Sequence, residues 1–379
     1  MRSAPLLAAS AAQAPRMRAE LAALVERESY SSDLSALHSC ADLVAELGTQ
    51  ALGSPPRRLE SAGRPHLLWP GSGTGDVLVL GHFDTVWPTG TLARWPFAVD
   101  GELATGPGVF DMKAGIVQLF AALRLLPSTE DVAVLLTSDE ELGAPSSRAL
   151  IEDTARGCRA VLVPEPSADG ALKTARKGIG TYRLDIGGRA AHAGLEPHKG
   201  INATVEVARQ VLRIAALDDG AEGTSVTPTV LSGGSSMNTV PEHASVQVDV
   251  RAWSAAALER VDAALRALEP VAAGARLELG GGINRYALEP AYSAHLFATA
   301  VREARALGLA PLRAAAVGGG SDGNLTAGLG VPTLDGLGAV GDHAHAPGEY
   351  ADLSAMPQRA ALLAALIGRL LGTGRRAAS

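Results

Sequence analysis

The stretch DVLVLGHFDTV, residues 76–86, is an apolar run bounded by turn residues, and it predicts a buried strand. Two similar runs follow, at residues 131–141 (DVAVLLTSDEE) and 159–167 (RAVLVPEPS). Helical segments separate them at residues 113–126 and 146–157. Strands that alternate with helices predict an α/β fold, with a mostly parallel sheet covered by helices on both faces.

The pattern changes near residue 177, where strands begin to alternate apolar and polar residues. In ASVQVDVRAW, residues 244–253, three valines face one way and Gln247, Asp249 and Arg251 face the other, as in a half-exposed antiparallel sheet. The order of elements predicts a small βαββαβ domain inserted in the larger one. The predicted division is a first part of the larger domain (1–176), the insertion (177–285) and a second part of the larger domain (286–379).

Composition excludes several functional classes. The chain has 379 residues, 47% hydrophobic and 19% charged, which is typical of a protein with a full core. A net charge of −7 without a basic stripe argues against nucleic-acid binding. Two cysteines exclude a disulfide framework and favour a reducing, cytoplasmic location. No apolar stretch approaches the ~20 residues that span a bilayer, so no membrane partner is expected.

The N-terminus allows two interpretations. Residues 1–16 contain Arg2, a short Leu/Ala run and small residues, a pattern that faintly resembles a secretory signal. We favour a lead-in to a first helix, because helical spacing begins at residues 18–28 and continues at residues 33–53.

Potential ligands follow the apolar strands of the larger domain. His82 ends the first, Glu140 and Glu141 follow the second, and Glu165 follows the third. Because ligands bind at the carboxyl ends of parallel strands, these side chains can converge at one edge of the sheet.

Two further segments supply residues of the same chemical type. Asp111 lies in a Gly/Pro loop before a helix, and DHAHAPGEY contributes His343 and His345. Imidazoles and carboxylates around one pocket form a mixed nitrogen and oxygen site suited to Zn²⁺, Mn²⁺ or Co²⁺. A divalent cation would also offset the repulsion between Glu140 and Glu141.

Each residue also has a purely structural interpretation. A histidine after a strand is often a hydrogen-bonded structural residue, and Asp111 could cap the helix that follows it. The Glu140–Glu141 pair could be a solvated turn. Convergence of all these residues on one edge by chance is much less probable than any one of these interpretations alone.

Eight motifs occur in an order that resembles the M20 family of zinc metallopeptidases, and most closely its glutamate carboxypeptidase branch. The resemblance runs from about residue 20 to the end of the chain. The motifs are GHFDTVW (81–87), GPGVFDMKAG (106–115), TSDEELG (137–143), VPEPS (163–167), AAHAG (190–194), MNTVP (237–241), GGGSDG (318–323) and AHAPGEY (344–350).

The resemblance implies two zinc ions per subunit, for which Co²⁺ or Mn²⁺ could substitute. Asp111 would bridge them. His82 and Glu165 would complete the coordination of one ion, and Glu141 and His345 that of the other. Bridged ions of this kind lie ~3.5–4 Å apart, polarise a carbonyl and activate a shared water.

The resemblance also implies the chemistry of the site. Asp84 would orient the imidazole of His82, and Glu140 would be the general base. The expected reaction is cleavage of an amide next to a free carboxylate, in a peptide or an N-acyl amino acid. A deacylase of the acetylornithine or succinyl-diaminopimelate type, or an aminotripeptidase, is the alternative within the same fold.

The inserted domain of the family dimerises and contributes residues to the active site. His192 would reach the site of the partner subunit in a homodimer and stabilise the oxyanion. Asn238, Arg251 and Arg285 would bind substrate carboxylates, and Gly320 would offer backbone contacts.

Sequence alone leaves alternatives for some of these residues. His192 could be a surface-loop histidine, and Arg251 an exposed strand residue. The family usually has Pro-Pro after the arginine that corresponds to Arg285, whereas this chain has Tyr286 and Ala287.

Two rival functions were considered. GGSDG, residues 319–323, also fits a nucleophile elbow, which would make a serine hydrolase of Ser321, Asp335 or Asp342, and His345. That interpretation leaves His82 and the two adjacent glutamates unexplained. The non-enzyme alternative is a catalytically inactive, dimeric binding module, which the presence of every expected ligand and of Glu140 disfavours.

Overall fold

The computed structural model describes residues 3–73 and 75–377, and the chain divides into two compact units. The first comprises the residues up to Ala175, Pro290–Val317 and the residues from Ser321 onward. The second comprises Arg176–Glu289 with Gly318–Gly320, and the predicted insertion, 177–285, lies within it. Among the described residues, no helix is both long and apolar enough to cross a bilayer.

The third helix begins and ends at recognisable signals. Asp33 accepts a hydrogen bond from the Ala36 N–H at 3.0 Å before the third helix, and Gly53 ends that helix with a left-handed φ of 77°. The helices are α1 Ser3–Ala11, α2 Ala14–Val25, α3 Leu34–Leu52, α4 Ala114–Arg124, α5 Arg148–Ala155, α6 Ala203–Ala215, α7 Ala255–Arg266, α8 Pro290–Leu307, α9 Gly323–Gly328 and α10 Met356–Ala377.

The strands form a main sheet in the first unit, a four-stranded sheet in the second, and smaller sheets. They are β1 Arg57–Ser61, β2 Arg64–Trp69, β3 Val77–His82, β4 Ala98–Asp100, β5 Leu103–Thr105, β6 Val132–Thr137, β7 Ala160–Leu162, β8 Leu172–Arg176, β9 Gly178–Gly187, β10 Ala191–His192, β11 Ser225–Gly233, β12 Thr239–Val240, β13 His243–Ala252, β14 Arg276–Arg285, β15 Ala314–Val317, β16 Thr333–Leu334, β17 Gly341–Asp342 and β18 Tyr350–Asp352.

The main sheet is mostly parallel, which confirms the predicted fold class. Its order is β1-β2-β6-β3-β7-β16. Strands β6, β3, β7 and β16 run parallel to one another, and the β1–β2 hairpin adds antiparallel strands at one edge. The register pairs His82 with Thr137, so β3 and β6 end side by side.

Both faces of the main sheet are buried, because neighbouring strand residues point in opposite directions. Val77 and Val79 pack into a core formed with α2, α3, α4 and α10. Leu78 and Leu80 pack into a separate core formed with α5 and α9. The strand that ends in His82 is therefore fixed from both sides.

The second unit contains the predicted βαββαβ order. Its sheet is antiparallel, in the order β11-β13-β9-β14. Val246, Val248 and Val250 pack against α6 and α7, whereas Gln247 and Asp249 lie on the opposite face. The βαββαβ order requires four strands, and β11, between α6 and β13, is one of them.

The N-terminal segment differs from the expected simple lead-in, because residues 3–11 form the helix α1. Leu6 is buried in the main core, and the Ser10 hydroxyl donates a hydrogen bond to the Pro357 carbonyl at 2.7 Å. The sequence predicted only the two helices that follow, α2 and α3.

We expect two helical glycines to respond oppositely to alanine. A Cβ on Gly48 would lie 2.2 Å from a ring carbon of the buried Trp69, so Gly48→Ala should lower the free energy of unfolding by ~1–3 kcal/mol. A Cβ on Gly368 meets no described atom within 4 Å, so Gly368→Ala should raise it by up to ~1 kcal/mol. Denaturant unfolding measures both, and an unchanged midpoint for Gly48→Ala would contradict the packing of α3 on β2.

Candidate metal centre

The candidate site lies at the carboxyl edge of the main sheet. His82 is the last residue of β3, and Glu140 and Glu141 lie in a single turn that begins three residues after β6. Glu165 follows β7 by three residues. Since β6, β3 and β7 are adjacent and parallel, their ends bring these side chains to the same edge.

A first group of ligand atoms surrounds His82. Its Nε2 lies 3.2 Å from Oε1 of Glu165 and 3.4 Å from Oδ1 of Asp111. Its Nδ1 lies 3.1 Å from the Asp84 carbonyl and 3.3 Å from Oδ1 of Asp84. His82 and Glu165 are both buried, so this group is well shielded from solvent.

A second group surrounds His345. Its Nε2 lies 3.2 Å from Oδ2 of Asp111 and 3.1 Å from the carboxylate of Glu141. Asp111 thus belongs to both groups, with one carboxylate oxygen near each imidazole. In each group the potential ligand atoms lie within 4.8 Å of one another.

The electrostatics of the two groups reflect crowded carboxylates. Burial raises the pKa of Glu141 to about 8, against the opposing hydrogen bond from His345. Hydrogen bonds with Asp111 and Glu141 raise the pKa of His345 to about 11. Burial alone would lower the pKa of His82, but its carboxylate neighbours raise it well above its usual value.

The residues fit a divalent cation. Apart from its 3.4 Å contact with Nε2 of His82, the buried Oδ1 of Asp111 has no hydrogen-bond partner among the described residues, as expected for an oxygen that could ligate a cation. The donors are imidazole nitrogens and carboxylate oxygens, which suit Zn²⁺, Mn²⁺ or Co²⁺. The capping role considered for Asp111 is wrong, because α4 begins at Ala114 without a side-chain cap.

Asp84 connects the end of β3 with the turn that carries the two glutamates. It is fully buried, and its carboxylate accepts hydrogen bonds from the N–H groups of Glu140 and Glu141, each at 3.3 Å. The hydroxyl of Ser31 donates to the same carboxylate at 2.8 Å. One side chain therefore contacts His82 and fixes the backbone of both glutamates.

The two adjacent glutamates differ in their surroundings. Both residues are half-buried, but the Glu141 side chain is only 6% exposed and lies against His345. The preceding residue, Asp139, is buried and accepts hydrogen bonds from the N–H groups of Ser146 and Ser147. This turn is therefore tied back to the fold and is not a simple solvated loop.

The predicted substrate-binding residues lie in the second unit. His192 is exposed in β10, and its Nδ1 accepts hydrogen bonds from the backbone N–H groups at 194 and 195.

Asn238 is exposed, and Arg251 pairs with Asp249 at 2.9 Å. Arg285 is buried at the end of β14. The Gly320 carbonyl accepts a hydrogen bond from Arg176 at 3.2 Å.

The geometry counts against the serine-hydrolase alternative. Ser321 is fully buried, and its hydroxyl donates to Asp335 at 2.5 Å. The imidazole required as a base, that of His345, lies against Asp111 and Glu141 instead.

Sequence reasoning missed Glu349, a fully buried carboxylate close to the site. It accepts a hydrogen bond from the backbone N–H of Asp111 at 2.9 Å. Its only sequence signal was its place in the AHAPGEY motif, four residues after His345. His343, the other histidine of that segment, is exposed and makes an edge contact with Tyr350.

Comparison with known proteins settles the family. The model of peptidase family M20/M25/M40 matches residues 78–369, most of the chain. The chain belongs to peptidase family M20. This M20 protein is therefore a hydrolase of the metallopeptidase type.

Relatives of similar sequence include a carboxypeptidase and a desuccinylase. Carboxypeptidase G2 from Pseudomonas sp. (strain RS-16) is 35% identical over 319 residues, which cover 80% of this chain and 76% of that protein. Succinyl-diaminopimelate desuccinylase from Paracoccus denitrificans (strain Pd 1222) is 32% identical over 57% of this chain and 63% of that protein.

Solved structures share the fold at low sequence identity. A crystal structure of an aminopeptidase from Bacillus cereus has a TM-score of 0.72 at 20% identity, covering 94% of this chain and 99% of that one. An M20 family metallo-carboxypeptidase from Sulfolobus solfataricus has a TM-score of 0.70 at 15% identity, covering 93% and 98%.

Proposed function

We propose that this M20 protein is a dinuclear zinc-dependent hydrolase that cleaves an amide bond next to a free carboxylate. Its first-choice substrates are peptides or N-acyl amino acids, cleaved in the manner of a glutamate carboxypeptidase. One observation carries the proposal. The Asp111 carboxylate lies between two separate groups of ligand atoms, with one oxygen near His82 and the other near His345. A carboxylate in that position suits a bridge between two cations.

The proposed ligands divide into two sets that share Asp111. His82 and Glu165 would hold one metal, and Glu141 and His345 would hold the other. Asp84 fixes the orientation of the His82 imidazole, because its carboxylate and its carbonyl both lie near Nδ1.

The proposed mechanism assigns Glu140 as the general base. Two divalent metals bound here would polarise the scissile carbonyl and lower the pKa of a water between them. Glu140 accepts a proton from the attacking water and delivers it to the leaving amine. The hydrogen bond from the Glu140 N–H to Asp84 fixes the backbone that presents this side chain.

Residues of the second unit complete the proposal. His192 stabilises the oxyanion in the site of a partner subunit. Asn238, Arg251 and Arg285 bind the substrate carboxylate, and the Gly320 backbone contacts the substrate. Arg251 already holds a carboxylate, that of Asp249, through three N–H contacts between 2.9 and 3.2 Å.

The similarity to carboxypeptidase G2 favours an exopeptidase, since that relative matches four-fifths of the chain. Similarity to a desuccinylase and to an acetylornithine deacetylase from Proteus mirabilis (strain HI4320) supports the second candidate, an N-acyl-amino-acid deacylase. An aminotripeptidase is a third, supported by the fold alone.

A homodimer is also part of the proposal, and exposed apolar side chains of the second unit support it. Leu212 is 73% exposed on α6, Leu231 is 59% exposed on β11, and Met237 is fully exposed. Among the described strands, β11 pairs only with β13, so its other edge can accept a second chain. We propose a cytoplasmic location, consistent with two free cysteines.

Metal removal tests the function directly. Hydrolysis of a panel of N-acyl amino acids and dipeptides, followed by the released amine, should be lost after treatment with a chelator. Zn²⁺ or Co²⁺ should restore it, because the crowded carboxylates need divalent charge. A serine-directed reagent is the control and should have no effect, since Ser321 is buried. Full activity in metal-free protein would refute the proposal.

Substitution of the two adjacent glutamates separates base from ligand. Glu140→Gln keeps the shape of the side chain but removes proton acceptance, so turnover should fall by at least ~10²–10⁴ while about two metals remain bound. Glu141→Gln should lower the metal content, because it replaces a ligand. Turnover and metal content are measured on the same samples. Metal loss in Glu140→Gln alone would mean that the two roles are reversed.

Subunit mixing tests the role of His192. His192→Ala should lower turnover by ~10²–10³ with unchanged metal content, as expected for loss of one oxyanion donor. Exchanging subunits between His192→Ala and Glu140→Gln should then restore activity, because a mixed dimer has one site with both Glu140 and a donated His192.

Random exchange makes half of the dimers mixed, and each has one intact site, so recovery should approach a quarter of wild-type activity. Exchange is verified with differently tagged subunits. No recovery after verified exchange would show that His192 serves its own subunit or serves only the fold.

A further inference from the structure

Glu349 immediately precedes β18, and its side chain is completely buried. Its carboxylate accepts four N–H hydrogen bonds. Oε2 accepts from the indole of Trp87 at 2.8 Å and from the Gly108 backbone at 3.1 Å. Oε1 accepts from the backbones of Phe110 at 2.8 Å and Asp111 at 2.9 Å.

Three of these donors belong to the short turn that carries Asp111. Backbone carbonyls accept the N–H groups of Val109 and Lys113, at 3.2 and 3.1 Å. The N–H groups at 108, 110 and 111 point instead to the Glu349 carboxylate. A side chain therefore replaces the backbone acceptors that a regular element would provide, and it determines the course of this turn.

The same contact links two of the proposed ligands. Glu349 lies four residues after His345, and backbone hydrogen bonds from Ala346 to His343 and from Glu349 to Ala346 close the intervening segment into turns. The carboxylate then reaches the backbone of Asp111, whose own carboxylate lies 3.2 Å from His345. This connection links the backbone of Asp111 to the segment that carries His345.

We propose that Glu349 is a positioning residue for the second metal, the one assigned to Asp111, Glu141 and His345. The inference rests on the proposed metal centre. Glu349 touches neither substrate nor metal; it acts by holding the backbone of Asp111 in register with the segment that carries His345. A carboxylate is required, because each of its oxygens accepts two N–H groups. An amide would turn an N–H₂ group toward one of these donor pairs.

The experiment measures Zn²⁺ affinity in Glu349→Gln by competition with a chromophoric chelator. We expect one of the two ions to bind ~10–100-fold more weakly, the effect typical of residues that orient metal ligands. Excess Zn²⁺ should recover part of the lost turnover, which a merely structural defect would not allow. Equal affinity for both ions in Glu349→Gln and the wild type would overturn the inference.

Glu20→Gln is the matched control. Glu20 is also a buried carboxylate of the first unit, and it accepts hydrogen bonds from Arg16 and Arg124. This variant should lose stability but bind both ions as tightly as the wild type. Weaker binding in Glu20→Gln, equal to that in Glu349→Gln, would reduce the role of Glu349 to general stability and overturn the inference.

A second variant covers the case in which Glu349→Gln does not fold. Trp87→Phe removes one donor and keeps the carboxylate, so Zn²⁺ affinity should fall by about threefold, as expected for one hydrogen bond. Unchanged affinity in folded Trp87→Phe would then overturn the inference. A wild-type protein that binds no Zn²⁺ would refute the metal centre itself, an outcome distinct from failure of the Glu349 variants alone.

Discussion

The shared position of Asp111 between two imidazoles is the constraint on which the site depends. Its two oxygens lie 3.4 Å from His82 and 3.2 Å from His345, and Glu165 and Glu141 crowd the same space. Buried carboxylates at such distances repel one another unless positive charge lies between them. A ligating imidazole is neutral, so bound divalent cations would supply that charge in place of imidazole protons.

The fold holds the site through strands whose two faces are both buried. Val79 and Leu80 lie in different cores, so a shift in the register of β3 would exchange valines and leucines between two close-packed cores. His82 is consequently fixed, and Asp84, two residues later, fixes the turn after β6. The loop residue Asp111 has no strand to position it, and its backbone is held by Glu349 instead.

Apolar runs and helical spacing were sufficient to predict the parallel sheet, the inserted βαββαβ order and the convergence of residues at the strand ends. These features repeat along the chain and leave a periodic signal. The β1–β2 hairpin and α1 were missed, because short edge strands and an Ala-rich segment carry little periodicity. Glu349 was missed for a different reason: its partners are backbone N–H groups 238 to 241 residues away, and such contacts leave no mark in the sequence around it.

The stretch Gly318–Gly320 is remote in sequence from the rest of the second unit, yet it belongs to that unit. The Arg176 guanidinium donates to the carbonyls of Gly319 and Gly320, at 3.1 and 3.2 Å. The chain therefore passes between the two units four times. A continuous segment of residues 176–289 lacks the three glycines that also belong to the second unit. Recombination that exchanges this unit between relatives must carry the glycine stretch with it. A chimera that exchanged only residues 176–289 would pair Arg176 of one protein with the glycine stretch of another.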